Sequence, residues 1–427
     1  MQKICVVYSF KPSAWVSCQK IVANLLKAYN LNSDIEIIPV PYSIGMEDYQ
    51  CWASTKIILD EKPSHVVILD HRPHCHHILE PLIRSLKEIN HRPTFIFHLY
   101  GDFSLTLSTW KMIEPIIKEY QVLWYAASIR QRAMLAEYIP LEQMEICPFP
   151  VDSSEFYPNE DLKLSFREEK NWGENETIFV FTGRLSRQKR IHQLIETFTK
   201  WRKETKAAAR LVLVGDADKV GEPFLLRGEY EGEYFHYIYS LWKNLPEVDQ
   251  QYIEFHGFRP NKELNAYYNA SDFFVNISVH NDEDYGMSCA EALATGLPLI
   301  LTDWAGFSSF RRRGIEDAVK LIPVKISRRG KLISLKSLYK AFDEMHARKG
   351  TYDRSHISKQ SLTYTGIKNV ADIVRKGLTR SHIFEKFNDT LHEAARLEIY
   401  QKWNTFADLK SKTFNDLYMK VYRHYVE

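Results

Sequence analysis

Short apolar runs alternate with amphipathic stretches along this chain, and the alternation happens twice. Apolar runs at 3–8, 35–39, 65–69, 94–98, 122–126 and 145–147 are separated by helical periodicity that includes 14–28, 77–90 and 128–137. That spacing predicts βα units feeding a parallel sheet. The scheme begins again at Ile178 and continues to about Ile322. Two Rossmann-like, doubly wound α/β domains are therefore expected, with the carboxyl ends of both sheets facing a central cleft. The 427 residues suit this at roughly 150 residues per domain. A net charge of +2 gives no overall pull toward nucleic acid. The six cysteines contain no C-x-x-C pair and read as free thiols in a reducing cytosol. Met1-Gln-Lys leads straight into a strand, so no signal peptide is expected. No run of 18 apolar residues would span a membrane.

The densest chemistry lies in Glu283-Asp-Tyr-Gly-Met-Ser-Cys-Ala-Glu291, followed by Ala292-Leu-Ala-Thr-Gly296-Leu-Pro298-Leu-Ile-Leu301. The pattern predicts a loop, a two-turn helix, a glycine stop and an apolar strand. Ser288 is a good N-cap, Gly296 a good C′ residue, and Pro298 discourages continuation. Glu283 then sits on the loop and Glu291 in the first turn, with the amides of Gly286, Met287 and Ser288 between them. Acceptors and backbone donors would converge on one polyhydroxylated ligand. Ser288-Cys-Ala-Glu291 also spells a capping box, in which the glutamate only satisfies the cap backbone. Both readings stand on these residues.

A second signal lies upstream in Ile178-Phe-Val-Phe-Thr-Gly183-Arg184-Leu-Ser-Arg187-Gln-Lys189-Arg190. A strand should end at Gly183, and a helix should begin near Ser186. Ile191, Leu194, Ile195 and Phe198 would form its buried face. Arg184, Arg187, Lys189 and Arg190 crowd the start of that helix. Cations there oppose the helix dipole, each by roughly 0.3–1 kcal/mol. A bound anion would explain them, and a diphosphate would take helix amides and side-chain cations together. A solvated basic face is the alternative.

Together these segments resemble the retaining GT-B glycosyltransferases of group 1, family 4. That family's C-terminal domain carries a Gly-Arg-Leu turn followed by lysine, and then an E-x(7)-E motif. Cys147-Pro-Phe-Pro-Val151-Asp152 is similar to its interdomain linker. Leu211-Val-Leu-Val-Gly215-Asp216 and Ile253-Glu-Phe-His-Gly257-Phe258 look like its next strands. The resemblance covers about 145–306 well and 1–144 only in pattern.

It implies a GT-B fold and hexosyl transfer from a UDP- or GDP-linked sugar to a glycan, lipid-linked or other hydroxyl acceptor. Anomeric configuration would be retained, and neither cofactor nor catalytic metal would be needed. A place in cell-surface polysaccharide or glycoconjugate synthesis follows from the same likeness. Arg184 and Lys189 would stabilise the leaving diphosphate, Glu291 would accept from ribose, and Glu283 would accept from the donor sugar. Gly183 and Phe258 would line the donor site, and His98 would face the transferred sugar. A GT-B sugar-nucleotide epimerase, or a non-catalytic nucleotide- or glycan-binding relative, is the alternative.

In the first half, the loops after strands offer acceptor-side candidates: Lys11, then His71, Arg72 and His74, then Asp102. Asp70-His71-Arg72-Pro-His74-Cys75-His76-His77 holds metal-ligand residue types. The cluster is local and lacks a separated second ligand pair, so acceptor binding or an ordinary polar loop reads better than zinc. Over 307–331, eight cations oppose only Glu316 and Asp317. That basic segment suits a polyanionic acceptor or peripheral contact with an anionic membrane at its inner, cytoplasmic face, and a solvated loop is the alternative. The expected organisation is 1–150 for the acceptor-side domain and 151–383 for the donor-binding domain, with a basic insertion near 307–383. Residues 384–427 should form closing helices that cross back to the first domain.

Overall fold

The computed structural model describes residues 1–9, 16–42, 46–69, 76–101, 103–217, 232–281, 283–401, 405–408 and 410–427. They form two compact units. The first joins Met1–Pro150 to Thr365–Thr405, and the second joins Val151–Tyr364 to Phe406–Glu427.

In the first unit, parallel strands β1 (Gln2–Ser9), β2 (Ile35–Tyr42), β3 (His65–Leu69), β4 (Thr94–His98), β5 (Gln121–Ala126) and β6 (Met144–Ile146) lie in the order 2-1-3-4-5. The outer edge of β5 is shared. β6 pairs with its end in parallel, and a two-residue strand, His382–Ile383, pairs with its start antiparallel. The central strands are buried on both faces, which is why they read as unbroken apolar runs. Helix Asp48–Glu61 is not evident from periodicity, because the side chains it buries include Cys51, Ser54 and Thr55 beside Ile58.

In the second unit, β7 (Thr177–Thr182), β8 (Ala209–Val214), β9 (Ile253–Gly257), β10 (Phe273–Asn276), β11 (Leu299–Thr302) and β12 (Val319–Ile322) form one parallel sheet in the order 9-8-7-10-11-12. The strand order reverses between β7 and β10. In open α/β sheets, ligands bind outside the carboxyl ends of strands at such a switch point. Helix Ile191–Thr205 covers one face with Ile191, Leu194, Ile195, Phe198 and Trp201, on the spacing the sequence predicts.

The chain path after 306 differs from expectation. β13 (Val324–Ser327) and β14 (Gly330–Ile333) make an antiparallel hairpin inside the second unit. The segment that joins the first unit begins at Thr365, not 384. Helix Ile367–Gly377 supplies the reason: it buries Val370, Ala371 and Val374, so it needs an apolar partner. It also comes so close to β5 that a Cβ on Gly377 would lie 1.6 Å from Tyr125 Oη. The chain then returns to the second unit at Phe406, where helix Asp416–Tyr422 buries Leu417, Tyr418, Val421 and Tyr422.

Candidate functional site

The carboxyl ends of β7, β8 and β9 are knitted together by backbone bonds. Gly183 N–H donates to Val214 O at 3.0 Å, Leu185 N–H to Asp216 O at 2.8 Å, and Gly215 N–H to Gly257 O at 2.8 Å. Gly215 (φ +150°) cannot carry a side chain, because a Cβ would lie 1.9 Å from Gly183 O. This close approach delivers Gly183, Arg184 and Lys189 to the switch point. Phe258 follows β9, is 52% exposed, and its N–H donates to Asp216 Oδ1 at 3.3 Å.

The helix expected near Ser186 begins later. Arg187–Lys189 form a 3₁₀ turn, Arg190 adopts a left-handed conformation (φ +57°), and the helix proper is Ile191–Thr205. The cations therefore sit on the turn before the helix. Arg190 is the N-cap itself, so these cations still face the positive end of the helix dipole. A non-glycine left-handed residue is a strained choice of the kind found at functional sites. The turn is tied to the second motif, since Val279 N–H donates to Gln188 O at 3.0 Å.

Lys189 Nζ forms a hydrogen-bonded ion pair with Glu283, and both side chains are largely withdrawn from solvent. The two motifs, ninety-four residues apart, thus meet at one point. A buried carboxylate and ammonium are tolerated only as a pair of this sort.

The capping reading of Glu291 fails on geometry. Helix Met287–Ala294 takes Gly286 as its N-cap, with φ +105° and no side-chain cap bond, so Ser288 lies inside the first turn. A Cβ on Gly286 would meet the Phe307 ring at 2.6 Å, and this packing sets where the helix starts. Glu291 is instead 4% exposed and accepts from Tyr268 Oη at 3.4 Å. Tyr268 in turn pairs with Thr182 Oγ1 at 2.7 Å, which ties Glu291 to the end of β7. Burial, with the Glu291 charge second, pushes the Tyr268 phenol well above its ordinary pKa, so it stays a donor. The other end of the helix follows expectation. Gly296 (φ +73°) closes it, its N–H donating to Leu293 O and that of Leu297 to Ala292 O. At the start, Met287 and Ser288 present leading amides that have no carbonyl within the helix to bond.

His280 is buried beside these groups. Burial first, then the charges of Lys189, Arg184 and Lys331, hold its pKa well below the usual histidine range. It is therefore neutral and adds no positive charge of its own to the site. Sequence reasoning does not single out His280, Tyr268 or Asn281, which look like ordinary strand-end and helix residues.

Other candidates fall elsewhere. His98 closes β4 but is 2% exposed, with Nε2 2.9 Å from Tyr29 Oη. Burial lowers its pKa to about 3. That is the setting of a buried, hydrogen-bonded histidine. Lys11, His71, Arg72, His74 and Asp102 lie outside the described residues. Among the described residues no group of three or more His, Cys, Asp or Glu is placed to hold a metal. Lys320 pairs with Glu344, Arg328 pairs with Asp416, Arg312 lies over the Tyr364 ring, and Lys331 is buried. Among the described residues no helix is long and apolar enough to cross a membrane.

Residues 163–315, which hold both motifs, match the family described as Glycosyl transferases group 1. The chain is similar to the lipopolysaccharide 1,2-N-acetylglucosaminetransferase of Salmonella typhimurium LT2, 25% identical over 236 residues, 55% of each protein. It is also similar to the alpha-monoglucosyldiacylglycerol synthase of Acholeplasma laidlawii, 26% identical over 141 residues. That match covers 33% of this chain and 30% of the relative. The chain thus spans about half, or less, of the length of the curated relatives it matches. Among solved structures, Anabaena HepE in complex with UDP superposes with a TM-score of 0.65 at 14% identity, over 89% of this chain and all of that one. The fold is GT-B.

Proposed function

We propose that this GT-B chain, matched over its donor half to the group 1 glycosyl transferases, moves a sugar from a nucleoside-diphosphate sugar to a hydroxyl acceptor. The observation that carries the reading is the buried Lys189–Glu283 pair at the switch point, with buried Glu291 one helix turn beyond the leading amides. A lone carboxylate pair would suit hydrolysis, but here a lysine and Arg184 share the site, which suits a departing diphosphate.

Arg184, Lys189 and the leading amides of helix Met287–Ala294 would stabilise negative charge as the sugar–phosphate bond breaks. Glu291 would accept from the nucleotide ribose, and Glu283 from sugar hydroxyls. The acceptor oxygen would bond to the anomeric carbon on the face the diphosphate leaves, so configuration is retained. The acceptor proton would pass to the departing phosphate oxygen. UDP- or GDP-sugars are the proposed donors and a glycan or lipid-linked hydroxyl the proposed acceptor, without a metal. The likeness to HepE, solved in complex with UDP, supports the first of these donors. A cytoplasmic enzyme at an anionic membrane face would rely on the exposed Arg311, Arg313, Lys325 and Arg329.

A thermal-shift screen of UDP, GDP and their sugars tests the reading. A ligand that binds only the folded state at a hundred times its Kd raises stability by about 2.7 kcal/mol. A sugar nucleotide should raise the melting temperature and be turned over with acceptor. No shift with any of them would overturn the assignment.

A further inference from the structure

The loop that carries Glu283 is held by side chains from far along the chain. Lys331 Nζ donates to Asn281 Oδ1 at 2.8 Å, and Tyr418 Oη donates to the same oxygen at 3.3 Å. Trp304 Nε1 donates to His280 O at 2.7 Å, and Tyr425 Oη to Asp284 Oδ1 at 3.5 Å. Lys331 comes from β14, and the tyrosines come from the segment that returns after Phe406. These two pieces are joined to each other. Phe414 N–H donates to Arg328 O at 2.7 Å, and its ring stacks on Tyr418 at 3.6 Å. Lys331 Nζ lies 5.4 Å from the Trp304 ring and 5.8 Å from that of Phe414.

Lys331 is 6% exposed, and it lies outside the stretch matched to the family. A buried ammonium is costly to keep, so an apolar residue would serve better if packing were its only role. Its charge is also felt at His280, whose pKa is held low by burial first, then by Lys189, Arg184 and, last, Lys331. With two donors on Oδ1, the Asn281 amide has one orientation. Its Nδ2 is then a buried donor with no hydrogen-bond partner among the described residues. A ligand oxygen would satisfy it.

We propose that Lys331, acting through Asn281, is a positioning residue that sets the Glu283 loop for the donor sugar. The inference rests on the glycosyl-transfer reading above. The test compares the parent with Lys331→Met, Lys331→Arg and Tyr418→Phe. It measures melting temperature, affinity for the nucleoside diphosphate alone, and kcat and KM for the sugar nucleotide.

Lys331→Met should keep nucleoside-diphosphate affinity within about twofold but lower kcat about fivefold or more, because only the sugar end is displaced. Lys331→Arg should recover most of that loss. Tyr418→Phe should lower kcat in the same direction, and combining it with Lys331→Met should cost less than the two separately, since both act on one oxygen. Should Lys331→Met fail to fold, Tyr418→Phe carries the test alone. Parental kcat in the Met and Phe variants would overturn the proposal. So would a loss matched by equal loss of nucleotide affinity and not rescued by arginine. A parent that binds nucleotide but turns over no sugar nucleotide would instead overturn the transfer reading, and this inference with it.

Discussion

Glu291 shows how a single residue can carry two meanings until its neighbours are placed. Ser288 and Glu291 spell a capping box, yet the helix is capped by Gly286 and the carboxylate turns to Tyr268. Glu291→Gln should therefore leave the melting temperature near the parent's. It should lower donor kcat/KM on the order of tenfold, because hydrogen bonds to a charged acceptor contribute about 1.5–3 kcal/mol against roughly 1 for neutral ones. Paired melting and kinetic measurements check this, and full activity in the variant would return Glu291 to a packing role. His98, expected to face the transferred sugar, is buried and bonded to Tyr29. Folded His98 stays neutral down to about 3, against an ordinary value of 6.5. Below 6.5 the unfolded chain binds a proton that the folded one refuses, so stability present above that pH is lost as pH falls toward 3. Between pH 7.5 and 5.0 the parent should lose roughly 2 kcal/mol more than His98→Gln in urea unfolding. Parallel losses would show that His98 is not buried in this way.

At the scale of elements, strands are far more legible in the sequence than starts of helices. Fully buried parallel strands such as Ile178–Phe181 announce themselves as apolar runs. Helix starts depend on contacts that no local pattern records. The Phe307 ring places Gly286 at the cap, and the left-handed Arg190 delays the helix to Ile191. Both carboxylates of the candidate site are legible from their spacing around Gly286. The Lys189–Glu283 pair is not, because it joins residues on different loops. Lys331 is visible only as one more cation in a basic run, since burial is decided by the hairpin and the returning segment. Gly215 is the element-scale keystone, and Gly215→Ala tests it. Its added methyl would strike the Gly183 carbonyl in a backbone conformation that alanine rarely adopts. Urea unfolding should show a loss of roughly 2–4 kcal/mol. A neutral substitution would mean that the β7 and β8 turns are not locked together.

At the scale of the molecule, one donor-side unit carries the proposed chemistry on cations and helix amides of its own. Turnover should therefore survive EDTA. Complete loss restored by a divalent ion would point back to the His71–His77 stretch. The central claim is that the β7 turn holds the diphosphate of a sugar nucleotide while its bond to the sugar breaks. Measuring sugar-nucleotide kcat/KM in Arg184→Ala against the parent tests it most directly. Loss of roughly 2–4 kcal/mol of transition-state stabilisation, about 30- to 1,000-fold in rate, is the predicted result. Unchanged turnover in a folded Arg184→Ala protein would contradict it.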